Sequence, residues 1–135
     1  MKQIVVGYDE SEPAKRALAR AAELASAFGA KVIVTSVAPA IHGRGLGPVD
    51  PVDPPELHRE ELQHAAAFLA EKGIEGEYDL ALGDPAVHIV KLAGLRGADL
   101  IVVGTDEPNM IERMLGLSVS GAVQRKAHCD VLIVH

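Results

Sequence analysis

Short runs of β-branched and aliphatic residues alternate along the chain with longer stretches in which apolar positions recur at helical spacing. Residues 3–8 (QIVVGY), 31–37 (KVIVTSV), 100–104 (LIVVG) and 131–135 (VLIVH) are nearly continuous apolar runs, the pattern of strands covered on both faces. Residues 77–82 form a weaker candidate strand, in which Tyr78, Leu80 and Leu82 alternate with other residues. Between the strands, Leu18, Ala21, Ala22 and Ala25 follow an i, i+3, i+4, i+7 spacing, and Leu62, Ala65, Ala66 and Leu69 repeat it. Each such segment predicts a helix with one apolar stripe turned to a sheet.

Punctuation falls at the same boundaries. Ser11, Asp53 and Asp84 stand where N-caps belong, Pro13, Pro55 and Pro85 follow inside the first turns, and Gly29 and Gly73 lie just past the helix ends. Five strand–helix alternations of this length predict a doubly wound α/β fold, a parallel sheet with helices on both faces. In such sheets ligands sit beyond the carboxyl ends of the strands, where strand order reverses. The stretch 38–54, rich in Gly and Pro, exceeds the ~12–15 residues usual for a structureless connection and is expected to be a flexible loop or lid.

With 135 residues, 48% hydrophobic and 24% charged, the chain is sized for a single domain spanning 1–135. Two Phe, two Tyr and no Trp leave the core to Val, Ile, Leu and Ala and offer no stacking platform for bases of a nucleic acid. A net charge of −6 repels polyanions, so no nucleic-acid partner is expected. The start lacks the apolar run of a secretory signal and no stretch approaches the ~20 apolar residues of a membrane span, which predicts a cytoplasmic protein with no membrane partner. The one cysteine, Cys129, agrees with a reducing compartment.

Motifs narrow the chemistry. Walker A is absent, and the GRGLG stretch at 43–47 does not match G-x-G-x-x-G. The six histidines show no metal-ligand spacing, no G-x-S-x-G elbow is present, and His128 beside Cys129 has no identifiable orienting partner. No catalytic residue, no metal site and no enzymatic activity are assigned. The better ligand candidate follows the fourth strand: Gly104, Thr105, Asp106 and Glu107 through Gly116, Leu117, Ser118, Val119 and Ser120, with Ser118 capping a final helix to about residue 127.

The opening IVVGYDESEPAKRALARAAELA, the central GDPAVHIVKLAGLRGADLIVVGT and the closing SVSGAVQRKAHCDVLIVH resemble, in this order and across nearly the whole chain, the universal stress protein (UspA-type) family. The resemblance implies a Rossmann-like five-stranded parallel sheet in the order 3-2-1-4-5 and a homodimer formed through the C-terminal strand, 131–135. It also implies a remnant nucleotide site at Gly7, Asp9, Val37, Val103, Gly104, Gly116, Ser118, Val119 and Ser120. Simpler roles stand beside these: Asp9 organising the turn before the first helix, Val37 in the core, and Ser118 as a plain helix cap.

Nucleotide-binding members carry glycine, two residues, glycine, nine residues, then glycine followed by Ser or Thr. Here Gly104 matches the first glycine and Ser118 the end, but Glu107 and Leu117 occupy the other two glycine positions. Using Gly116 instead shortens the spacer to eight and inserts Leu117 before Ser118. Glycine permits close backbone approach to phosphate, whereas Glu107 brings a negative charge and Asp106 adds a second. Two unit charges at ~4 Å interact by ~4 kcal/mol at an effective dielectric near 20. The expectation is a stress-response or regulatory module with weak or absent ATP binding and no cofactor. The alternative is an ATP or AMP binder, or slow ATPase, in which Mg²⁺ on Asp9, Glu10, Asp106 and Glu107 compensates.

Overall fold

The structure, a computed structural model, describes residues 1–38, 55–105 and 119–135. In chain order they form β1 (Gln3–Gly7), α1 (Glu12–Phe28), β2 (Lys31–Ala38), α2 (Pro55–Glu71), β3 (Gly76–Leu82), α3 (Pro85–Arg96), β4 (Leu100–Gly104), α4 (Val119–Lys126) and β5 (Asp130–Val134). The five strands form one all-parallel sheet in the order β3-β2-β1-β4-β5. This is the doubly wound architecture expected from the alternation of apolar runs and helical stripes. The long Gly/Pro-rich connection, apart from Ala38 at the end of β2, and the caps expected at Asp53 and Ser118 lie outside the described residues.

Strand ends differ from expectation by a residue, for local reasons. β1 stops at Gly7, although the amide of Tyr8 still donates to the carbonyl of Thr35 at 2.9 Å. Asp130 pairs with Leu100 in the β4 register, so β5 covers Asp130–Val134 and ends before His135, not 131–135. β3 begins at Gly76, opposite Val32.

Strand alternation divides the core into two layers. Ile4, Val6, Val32, Val34, Leu100 and Val102 face α1 and α2, where the predicted stripe of Leu18, Ala21, Ala22, Ala25, Leu62, Ala65 and Leu69 is buried. Val5, Ile33, Ile101 and Val103 face Ala86, Ile89 and Ala93 of α3 and Val123 of α4. The central strands β1 and β4 are covered on both sides, which explains why their sequences are unbroken apolar runs.

Helix ends are fixed by side chains and by backbone shape. Ser11 Oγ accepts from the amide of Ala14 at 3.2 Å, and Asp84 Oδ1 from that of Val87 at 3.0 Å, each cap contributing ~1 kcal/mol. Gly29 and Gly97 close α1 and α3 in the left-handed region, at φ of 67° and 62°. At the amino ends of the strands, Asp99 accepts from the amides of Lys2 at 2.7 Å and Gln3 at 3.0 Å, which holds its carboxyl below the usual range and fixes β1 beside β4. Along edge strand β3, Glu77 pairs with Lys31 of β2 and Arg96 of α3. Among the described residues, no helix is long and apolar enough to cross a membrane.

The tightest packing lies where β4 ends. A Cβ on Gly104 meets the carbonyl oxygen of Pro13 at 2.2 Å and the amide nitrogen of Ala14 at 2.9 Å, both backbone atoms of the first turn of α1. By contrast, a Cβ on Gly94, on the exposed side of α3, meets nothing within 4 Å. Gly104→Ala is therefore expected to lower the unfolding free energy by about 1–3 kcal/mol. Gly94→Ala raises it by about 0.5–1 kcal/mol. Urea unfolding of both variants with unchanged m-values checks the pair.

Candidate functional site

Strand order reverses at β1, whose neighbours are β2 and β4. Beyond the carboxyl ends of these strands lies a cavity of about 140 Å³, lined by Gly7, Tyr8, Asp9, Ser11, Ala14, Thr35, Val37, Pro85, Ile89, Val103, Gly104 and Val119. Six residues singled out from sequence, Gly7, Asp9, Val37, Val103, Gly104 and Val119, are thus brought to one place. Ser120 is buried in α4, outside that lining. Gly116, Ser118 and the motif-breaking Glu107 and Leu117 lie outside the described residues, as does Asp106.

Each wall has a local cause. Gly7 leaves room for α3, since a Cβ there comes 2.8 Å from Ile89 Cδ1. Val37, for which core packing was the simpler expectation, is only half-buried and lines the cavity. Asp9 has the turn-organising role, its Oδ1 accepting from the amide of Ser11 at 3.0 Å, and it also lines the cavity. Between them Glu10 takes a left-handed φ of 61°, a conformation side chains rarely adopt, and its carboxylate bonds His64 of α2.

The surroundings are acidic. The Tyr8 hydroxyl is pushed up to about 12, first by burial and then by Glu10, Glu61, Asp9 and Glu12. Among the described residues, no group of three or more His, Cys, Asp or Glu side chains is placed to hold a metal ion. Burial, with Asp130 and Asp99 nearby, raises the Cys129 thiol, the opposite of what an activated nucleophile needs.

Two polar networks were not foreseen. Thr35 and Ser36 are adjacent in β2, almost wholly buried, and point to opposite faces of the sheet. Toward α3, Thr35 Oγ1 donates to Asp79 Oδ2 at 2.7 Å, and His88 Nε2 lies 2.6 Å from the same oxygen. Toward α2, Ser36 Oγ lies 2.6 Å from His58 Nδ1 and 3.4 Å from Glu61 Oε2, which is 3.3 Å from the same His58 nitrogen. Serine and carboxylate therefore meet one ring nitrogen, whereas a catalytic triad uses both. The available signal was two hydroxyl residues interrupting an otherwise apolar strand.

The family model of the universal stress protein family matches residues 1–135. A universal stress protein of Methanocaldococcus jannaschii is 34% identical over 140 aligned residues, covering 98% of this chain and 81% of that protein. The fold is similar to that of a universal stress protein solved in complex with cAMP, at a TM-score of 0.80 and 30% identity, over 99% of this chain and 97% of the other. An Archaeoglobus fulgidus universal stress protein in complex with dAMP is similar at a TM-score of 0.75 and 28% identity, over 100% and 98% of the two chains. The chain belongs to the universal stress protein family.

Glu61 gives a pH signature. Burial raises its carboxyl above the usual value, Glu10 and Asp9 add to this, and His58 and Ser36 oppose it. The folded state thus holds this proton more tightly than the unfolded chain, so stability falls as pH rises from the ordinary value of 4.5 through the raised one. Glu61→Gln keeps an acceptor for Ser36 and removes the buried charge. Its melting temperature relative to wild type is expected to increase as pH rises above 4.5 in buffered calorimetric scans.

Proposed function

We propose that the chain is a homodimeric regulatory module of the stress response that binds an adenine mononucleotide at the carboxyl ends of β1, β2 and β4, and binds ATP weakly or not at all. The observation that carries this is the cavity at the strand-order reversal, where Gly7, Asp9, Val37 and Gly104 meet. Similar folds whose partners are cAMP and dAMP support an adenine ligand with one phosphate. The cavity, at about 140 Å³, is below the roughly 300 Å³ of a pocket enclosing a whole small ligand, so it takes the base and leaves sugar and phosphate toward the rim.

Glu107 and Leu117 stand against a longer phosphate chain, since the family's glycines at those positions let backbone amides approach it. Negative charge on Asp9, Glu10 and Glu61 around Tyr8 adds repulsion at the same end of the sheet. No bond-breaking chemistry is proposed, because the site offers no activated nucleophile among the described residues.

Among the described residues, edge strand β5 pairs with β4 alone, and the amides and carbonyls of its other edge suit pairing with the same strand of a second copy. Sedimentation at micromolar concentration is expected to give twice the chain mass of 14.2 kDa. A monomer alone overturns the dimer.

For the ligand, AMP at 100 times its dissociation constant is expected to stabilise the fold by ~2.7 kcal/mol in a thermal-shift titration. ATP at the same concentration stabilises it less, and the double variant Glu107→Gly, Leu117→Gly gains on the order of tenfold in ATP affinity. ATP binding by the wild-type chain as tightly as AMP overturns the reading.

A further inference from the structure

The face of the sheet turned to α1 and α2 carries another cavity, of about 620 Å³, lined by Tyr8, Glu10, Lys15, Leu18, His64 and Phe68. Its size is in the range of pockets that hold a whole small molecule, unlike the cavity of about 140 Å³ at the strand ends. Strand alternation puts Tyr8 on the same side as Ile4 and Val6, and it packs with them in the core layer beneath α1 and α2. Its side chain therefore lies on the side of the larger cavity. Tyr8 is 6% exposed, and among the described residues its hydroxyl has no hydrogen-bond partner. A nearly buried hydroxyl left in that state is unfavourable, and its oxygen can accept as well as donate.

Charge around this cavity decides what it can take. The groups acting on Tyr8 are the carboxylates of Glu10, Glu61, Asp9 and Glu12. Both basic side chains of the wall are engaged: Lys15 Nζ lies 3.6 Å from Glu12 Oε1, and the His64 ring bonds Oε1 of Glu10. Oε2 of Glu10 has no partner among the described residues. The Lys72 ammonium, 5.5 Å from the centre of the Phe68 ring, belongs to the neighbouring cavity. An anionic ligand would have to draw Lys15 and His64 off their carboxylates and then face Glu10. A cation meets acceptors already in place. We propose that this cavity binds a small primary amine in its protonated form, the ammonium donating to the Tyr8 oxygen and to the Glu10 carboxylate while an apolar stem packs on Leu18 and Phe68. An ammonium has three donors and no acceptor, which suits a wall whose open polar atoms are oxygens. The site is separate from the strand-end cavity except at Tyr8, which lines both.

Calorimetric titration of the full chain with 2-phenylethylamine, 2-phenylethanol and phenylacetate compares one stem carrying a cationic, a neutral and an anionic head. Near neutral pH the amine is expected to bind about tenfold more tightly than the alcohol, with phenylacetate weakest. Glu10→Gln brings the ratio of amine to alcohol affinity close to one, and Tyr8→Phe weakens the amine by about threefold to tenfold. Saturating AMP leaves amine binding unchanged. Phenylacetate binding as tightly as the amine overturns the proposal, as does no saturation by the amine up to about 10 mM, and neither result needs a variant to fold. Equal amine affinity in wild type and both variants overturns it too, and so does competition by AMP, which would put the amine in the strand-end cavity. Failure of AMP itself to bind overturns the proposed function alone and leaves the amine titrations decisive.

Discussion

The site depends on how closely the end of β4 approaches the first turn of α1. The carbonyl of Pro13 occupies the space into which any side chain on Gly104 would project, so the helix can start only because the strand ends in a bare backbone. That approach fixes α1 over the junction of β1 and β4 and places Ser11, Ala14 and Gly104 around one cavity. Ser11 secures the same turn from the other direction by capping it. Gly104 is therefore required by packing, independently of any ligand beside it.

A second constraint runs through β2. In a strand covered on both faces, adjacent residues point into opposite layers, and an unpaired hydroxyl in either layer is unfavourable. Thr35 and Ser36 each find partners on a different helix: α3 through Asp79 and His88, and α2 directly through His58 and Glu61. The pair ties the sheet to both helical layers at one level, beside the cavity that Thr35 helps to line. Apolar packing sets how far the helices stand from the sheet, but it is non-directional and tolerates sliding along it. Hydrogen bonds to a single oxygen or a single ring nitrogen add direction and fix the register.

Most of the fold was legible because it follows from local signals. The apolar runs gave the strands, the 3.6-residue stripes gave α1 and α2, and Ser11, Asp84 and Gly29 marked ends that the structure reproduces. Gly97 as the stop of α3 was missed, since Gly94 and Gly97 are equivalent as letters and only the backbone shows which one turns left-handed. The cavity-lining set was legible in part, because residues just after parallel strands converge at a switch point by topology alone. Asp79 and His88 were not legible. Their partnership depends on the β2–β3 register, which sets Thr35 opposite Asp79, and on the angle at which α3 crosses that edge.

The two halves of the proposed ligand site rest on different parts of the fold, and this bears on how the chain departs from its family's glycine pattern. The base side is built from β1, β2, β4 and the start of α3, elements that also form the hydrophobic core. Changing Gly7 or Gly104 there disturbs packing first and ligand second, because Ile89 or the Pro13 backbone already fills the space that a side chain needs. The proposed phosphate side draws on the sequence between β4 and α4, where the family pattern has glycines, which let backbone approach an anion, and this chain has Glu107 and Leu117. Glu107 and Leu117 can therefore stand in that segment while the packing at Gly104 stays intact. The cavity at the strand ends is thus maintained by folding itself, whatever residues stand in the segment between β4 and α4.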